Sequence, residues 1–274
     1  MQLRGSLRGL AAAAAVAIAG MTTAGGTGAH AAAFAPHRAT YGLSLASSAG
    51  AGQVLAVDGA MVFEWTDACD GWALNLKAQI ILNLENGDSQ SVTISQVTWE
   101  AKDGSKFRYL TKQSHAGQTD QTRGEATYDA AAGKGELVAD LPAKVDTELP
   151  QGTLFPSRQT KLMLDRAAAG EQIVIAKVFD GTVQTAPMDV SAVMGAGAKD
   201  WNGLKHDFPE LKGLTSYPAA LAYYFAERPD GTPDAEQSMR LYENGVVGEL
   251  IFDFAGIQIK AALDKLEMLP GGAC

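Results

Sequence analysis

The sequence predicts an all-β fold, a curled, many-stranded antiparallel sheet with one or two short helices, and three observations predict it. The first is alternation: between turn signals, β-branched and aromatic residues recur at period two, with polar residues on the opposite face. The second is the density of turns. Asp-Gly pairs begin at Asp58, Asp70, Asp103, Asp180 and Asp230, and Asn-Gly pairs at Asn86, Asn202 and Asn244, each suited to the left-handed backbone of a tight hairpin. The third is that helical spacing breaks the pattern in one segment only.

Taken in chain order, the first element is an address and not part of the fold. Arg4 and Arg8 precede a short Ala-rich apolar run, and Ala29 and Ala31 offer a small-residue cleavage site. The run is too short to span a bilayer. Residues 1–31 therefore read as a secretory signal peptide, residues 32–274 as a single exported β domain, and the compartment as the periplasm. No later stretch is long and apolar enough for a membrane-spanning helix. Removing Arg4 and Arg8 takes the formal net charge from −9 to −11, which weighs against nucleic acid or an anionic lipid surface as partner.

The strands follow. The stretches MVFEWT, WALNLKAQIILNL, SVTISQVTWEA and KFRYLTKQS alternate, and Asn86-Gly87 joins two of them directly. A second set runs through YPAALAYYFAERPDG and, past Asn244-Gly245, through VVGELIFDFAGIQIKAALDKL, read as one long alternating run. The exception to the pattern is LFPSRQTKLMLDRAAAGE: Pro156 can start a helix, Leu162, Met163 and Arg166 share a face, and Gly170 can end it. Such a helix, roughly 20 Å long and 10 Å wide, covers only part of a curled sheet. An apolar cavity beside it is the expectation. MGAGAKDWNGLKHDFPELKG, rich in glycine and charge, reads as an irregular loop.

Two cysteines are present, Cys69 and the terminal Cys274. In an oxidising compartment an even count reads as a disulfide, leaving free thiols or an intermolecular bridge as alternatives. A bond between them would close about 205 residues and remove about 5 kcal/mol of denatured-state freedom in the chain-entropy view.

Motifs that carry chemistry are scarce. There is no nucleophile elbow, phosphate-binding glycine loop or zinc-helix motif, and nothing calls for a cofactor or metal. His206-Asp207 offers half of a serine-hydrolase relay, and Asp140, Asp146 and Glu148 offer an acid and base pair; a solvated loop explains each more simply. Arg158 at the helix start can bind an anionic group or cap the helix. Trp65 and Trp72 bracket Cys69, while Tyr223 and Phe225 fall on one strand face with Tyr224 on the other. These rings can line an apolar groove or simply fill a core.

The signature EWTDACDGW, the later LPQGTLFPSRQT, the Phe179-Asp180-Gly181 triplet and a cysteine in the last few residues resemble the cell envelope integrity protein EipB family, over about Ala39 to Cys274. The resemblance implies a β-spiral similar in shape to the lipoprotein carriers LolA and LolB, with Cys69 and Cys274 matching the family's disulfide. It also implies a role in maintaining the envelope without an established catalytic activity. The expected function is thus non-catalytic binding on a concave sheet, of a lipid, a lipoprotein or an envelope protein. An envelope-polymer hydrolase using the carboxylates or His206 is the alternative.

Overall fold

The structure, a computed structural model, describes residues 34–47, 54–182, 186–225, 231–254, 256–272 and 274. The expected signal peptide, and Asp230 of the last Asp-Gly pair, lie outside the described residues.

Eight strands form a meander, each antiparallel to the next: β1 (His37–Ser47), β2 (Val54–Asp67), β3 (Gly71–Leu84), β4 (Ser89–Ala101), β5 (Lys106–His115), β6 (Gln118–Asp129), β7 (Lys134–Leu141) and β8 (Val145–Leu149). A two-residue strand, β9 (Thr153–Leu154), leads into α1 (Pro156–Ala168). The chain returns through β10 (Ile173–Val178), β11 (Met188–Met194), β12 (Ala198–Lys199), β13 (Thr215–Tyr224), β14 (Ala235–Tyr242), β15 (Val247–Phe254) and β16 (Ile257–Met268). All belong to one sheet, spliced in its middle by the pairing of β1 with β16, so that His37 lies opposite Met268. Its two ends, β8 and β9, are adjacent in sequence.

A sheet this wide twists until it curls. Contacts across the interior demonstrate the curl: Phe179, at the end of β10, packs on Phe107 and Tyr109 of β5, with ring centroids 6.2 and 5.5 Å apart. In the strand order these elements stand toward opposite ends. The period-two reading is visible in β1, where His37, Ala39, Tyr41 and Leu43 are buried and Arg38, Gly42 and Ser44 are not. Side chains from β1, β2, β3 and β16 form the largest apolar cluster, those of β10, β11, β13 and α1 a second, and those of β5 to β8 a third.

Helix α1 begins at Pro156 as its sequence predicts, and the chain leaves it through Gly170 at φ +82°. Its Met163 and Leu164 bury against β10 and β11. The long run VVGELIFDFAGIQIKAALDKL is two strands, not one: Gly256, at φ +83°, turns β15 back into β16. Asp58-Gly59 is not a turn. It lies inside β2, where Gly59 pairs with both Leu43 and Ile80. The loop read as irregular keeps little regular structure beyond β12 and a 3-10 turn (Pro209–Leu211), yet it is a plug: Phe208 and Leu211 are buried, and Trp201, Leu204 and Leu214 pack beside them. Its charges face out and its apolar residues face in, which is what a cover over one end of a curled sheet requires.

Candidate functional site

The register of β1 on β2 sets His37 directly opposite Trp65. Directly opposed residues on one face hold their Cβ atoms about 4.5 to 5.5 Å apart, so both rings stand on the same face of the sheet. Phe63 lies two residues from Trp65 on the same face. His37 stacks on Phe63 at 5.6 Å, Phe63 on Trp65 at 6.2 Å, and Trp65 on Trp72 of β3 at 5.6 Å. Phe34 closes this ladder edge-on, 5.9 Å from Trp65 and 5.8 Å from Trp72. The turn at Asn244-Gly245 supports Phe34 from behind; a Cβ on Gly245 would stand 2.8 Å from the Phe34 ring. Phe34, His37, Phe63, Trp65, Asn244 and Gly245, together with Thr160 of α1, line a cavity of about 50 Å³. This is the concavity beside the helix, and it is far smaller than an acyl chain needs.

The disulfide lies at the outer end of the ladder. Cys69, in the β2–β3 turn at φ +65°, is bonded to Cys274, with Cα atoms 5.8 Å apart. Asp67 organises this turn. It accepts from the Cys69 N–H at 2.9 Å and from Lys102 at 2.6 Å. The Lys102 hydrogen bond, more than any other contact, holds the Asp67 carboxyl below the usual carboxylate range. The Lys102 ammonium also sits 5.0 Å from the centre of the Trp72 ring.

A second feature anchors α1. Its N-cap residue, Phe155, has no side chain able to cap, and Glu100 of β4 fills that role from across the interior. Its carboxylate accepts from the Ser157 N–H at 2.7 Å, the Ser157 hydroxyl and the Arg158 N–H at 3.2 Å. Burial nevertheless raises the Glu100 pKa to about 7, against the opposing pull of these donors. Arg158 itself is exposed, with its aliphatic stem over Gly104. It touches neither Trp65 nor Trp72 in any contact the structure records.

The remaining candidates are scattered. Tyr223 faces the interior and donates to Gln237 Oε1 at 3.0 Å. Phe225 lies past the end of β13 and is 40% exposed, so the two do not share a strand face as the alternation predicts. His206 binds Asp264 at 3.0 Å and not its neighbour Asp207, which pairs with Lys212. Asp140 pairs with Arg123 at 3.4 Å, and Asp146 and Glu148 project from β8 into solvent. Among the described residues, no three His, Cys, Asp or Glu side chains are grouped to hold a metal ion.

Sequence reasoning missed an outer apolar face. Ile173 and Ile175 of β10 and Val193 of β11 are 65, 74 and 54% exposed, and Ile173 lies directly opposite Val193. Strand β9 pairs with β10 only at Lys177 and Val178. The edge of β10 from Ile173 to Ala176 therefore has no strand partner among the described residues. The stretch QIVIAKV carried the signal, but a continuous apolar run reads equally well as a strand buried on both faces.

A family model described as EipB-like matches residues 28–270. The chain is 27% identical over 256 residues to the cell envelope integrity protein EipB of Brucella abortus (strain 2308), an alignment covering 86% of this chain and 85% of that protein. A crystal structure of a β-barrel-like protein of a domain of unknown function, DUF1849, from Brucella abortus superposes with a TM-score of 0.78 at 23% identity. It covers 88% of this chain and all of the other.

Proposed function

The chain belongs to the EipB-like family, and on that premise we propose that it is a non-catalytic periplasmic protein, exported by a cleavable signal peptide, that supports the envelope by docking an apolar, extended segment of an envelope protein. The observation that carries this reading is the edge of β10 left without a strand partner by the described residues, with Ile173, Ile175 and Val193 exposed beside it. An added strand would gain main-chain hydrogen bonds from that edge and bury alternate side chains against the isoleucines. Each isoleucine buried contributes about 1.5 to 3 kcal/mol. Native sheets usually blunt such an edge with charge or proline, and this stretch carries neither before Lys177.

The lipid-carrier reading draws less support. The cavity beside α1, at about 50 Å³, is well below the ~300 to 1,000 Å³ of ordinary ligand pockets. The hydrolase alternative draws none from geometry, since His206 is hydrogen-bonded to Asp264 and Asp140 is paired with Arg123.

The test is complementation of a strain lacking this chain, challenged with an envelope-stressing detergent. The double variant Ile173→Lys with Ile175→Lys should fold, form its disulfide and fail to protect. Full protection by that variant would remove β10 as the docking edge.

A further inference from the structure

Arg240 of β14 is held in place without a counter-charge. Its Nε donates to the Ser216 hydroxyl at 2.9 Å, and its guanidinium carbon stands 5.2 Å from the centre of the Trp201 ring. Ser216, fully buried, donates in turn to the Ala198 carbonyl at 3.2 Å, so the support is itself fixed. The carboxylate directly opposite in the β14–β15 register, that of Glu249, is taken by Lys260. Burial lowers the Arg240 pKa, and the group that opposes the shift is Tyr242; among the described residues no carboxylate neutralises this cation. With Nε spent on Ser216, the terminal guanidinium nitrogens are left for an acceptor from outside.

Arg240 also stands at one end of a trough. The hollow of about 380 Å³ that it lines with Trp201 shares Val193, Ala220 and Ser238 with a second of about 340 Å³, which reaches Glu236. The register sets Val193, Ala220, Ser238 and Ile251 in one row across the sheet, on the outer face that Val193 marks. From Arg240 to Glu236 along β14 is about 13 Å. Strands β13 and β14 are paired on both sides, so a peptide laid over them would find no main-chain partner, whereas an aliphatic chain needs none.

We propose that this trough binds an unbranched aliphatic chain ending in a carboxylate, the carboxylate on Arg240 and the chain over Ala220 and Ser238. A guanidinium edge matches the two oxygens of a carboxylate. Glu236 repels an anion at the far end, which fixes the direction of the chain. The length suits roughly ten carbons. Neither Ile173 nor Ile175 lines the trough, so the site is separate from the docking edge of β10 and its failure leaves that reading untouched.

The test is calorimetric titration of the disulfide-bonded chain with octanoate and, separately, with 1-octanol, each below the concentration at which it aggregates. Saturable binding of octanoate, roughly tenfold or more tighter than that of octanol, is the expected result. Arg240→Gln should abolish the preference and leave octanol unchanged. Ala220→Phe, a change at an exposed position, should weaken both by filling the trough. Absence of saturable octanoate binding, equal affinity for the two probes, or a preference that survives Arg240→Gln would overturn the proposal. So would octanoate binding that Ala220→Phe leaves intact. The two probes on the natural chain and on Ala220→Phe decide the matter even where Arg240→Gln fails to fold.

Discussion

The aromatic end of the sheet and the outer face of β10 and β11 are both rich in large apolar side chains, and the molecule treats them in opposite ways. At the first, Phe63, Trp65 and Trp72 stack in a row with Phe34 edge-on against the tryptophans, and the Cys69–Cys274 bond fastens Cys274 beside them. At the second, Ile173, Ile175 and Val193 are left exposed by the described residues. The difference does not lie in residue type or period, because both regions alternate. It lies in which face the curl turns inward. Apolar residues on the inner face are covered by the rest of the sheet, by α1 and by the Trp201 to Leu214 plug, whereas Ile173, Ile175 and Val193 on the outer face are exposed. The first region accordingly contributes buried apolar area to the fold, and the second does not.

The comparison breaks most visibly at the disulfide. Replacing Cys274 with serine is expected to lower stability by about 2 to 5 kcal/mol, or roughly 10 °C in melting temperature for a chain of this size. The β content, read by circular dichroism, should be unchanged, since β16 stays paired with β1 and β15. An unchanged melting temperature would mean that the aromatic end holds without its fastening.

Glu100 sharpens the same comparison through pH. Its pKa in the folded chain, about 7, stands above the ordinary 4.5, so the folded state keeps a proton that the unfolded chain releases between those values. Stability from this group is therefore full below about pH 4.5 and falls as pH rises toward 7, by about 3 kcal/mol in all. Denaturant unfolding at pH 5 and pH 8 should show that slope in the natural chain and lose it in Glu100→Gln. Equal slopes in both would place the carboxylate in contact with solvent.

The smallest effect belongs to the outer face. Ile175→Thr keeps a β-branched residue at an exposed position and should change unfolding free energy by no more than about 0.5 kcal/mol. A loss of several kcal/mol there would show that the outer face is covered within the chain after all.

Much of this architecture was legible in the residues. The alternation of β2 to β5, the hairpins at Asn86-Gly87 and Asn244-Gly245 and the helix opening at Pro156 are local signals, and each fixes its own few residues. Gly59 misled because an Asp-Gly pair marks left-handed backbone equally well within a strand, where nothing local distinguishes it from a turn. The plug at Phe208 and Leu211 was hidden by its charged neighbours, since burial there is decided by distant strands. The site divided in the same manner. Trp65 and Trp72 were visible beside Cys69, but their partners Phe34 and His37 come from another strand and its approach, and only the β1–β2 register brings them in. Glu100 gave no signal at all, because the helix end it caps lies more than fifty residues further along the chain.

The pairing of β1 with β16 carries a consequence for how the molecule comes into being. A chain made from its N-terminus offers His37 long before Met268 exists, and at ~5 to 20 residues per second the gap lasts roughly 10 to 50 s. Throughout that interval the central seam of the sheet stays unsewn, with one edge of β1 bare, and Cys69 has no thiol to meet. A sheet whose seam needs the final strand cannot lock early, and contacts spanning nearly the whole chain make the closing step slow as well. Synthesis from the N-terminus thus keeps the central seam open until β16 has been made.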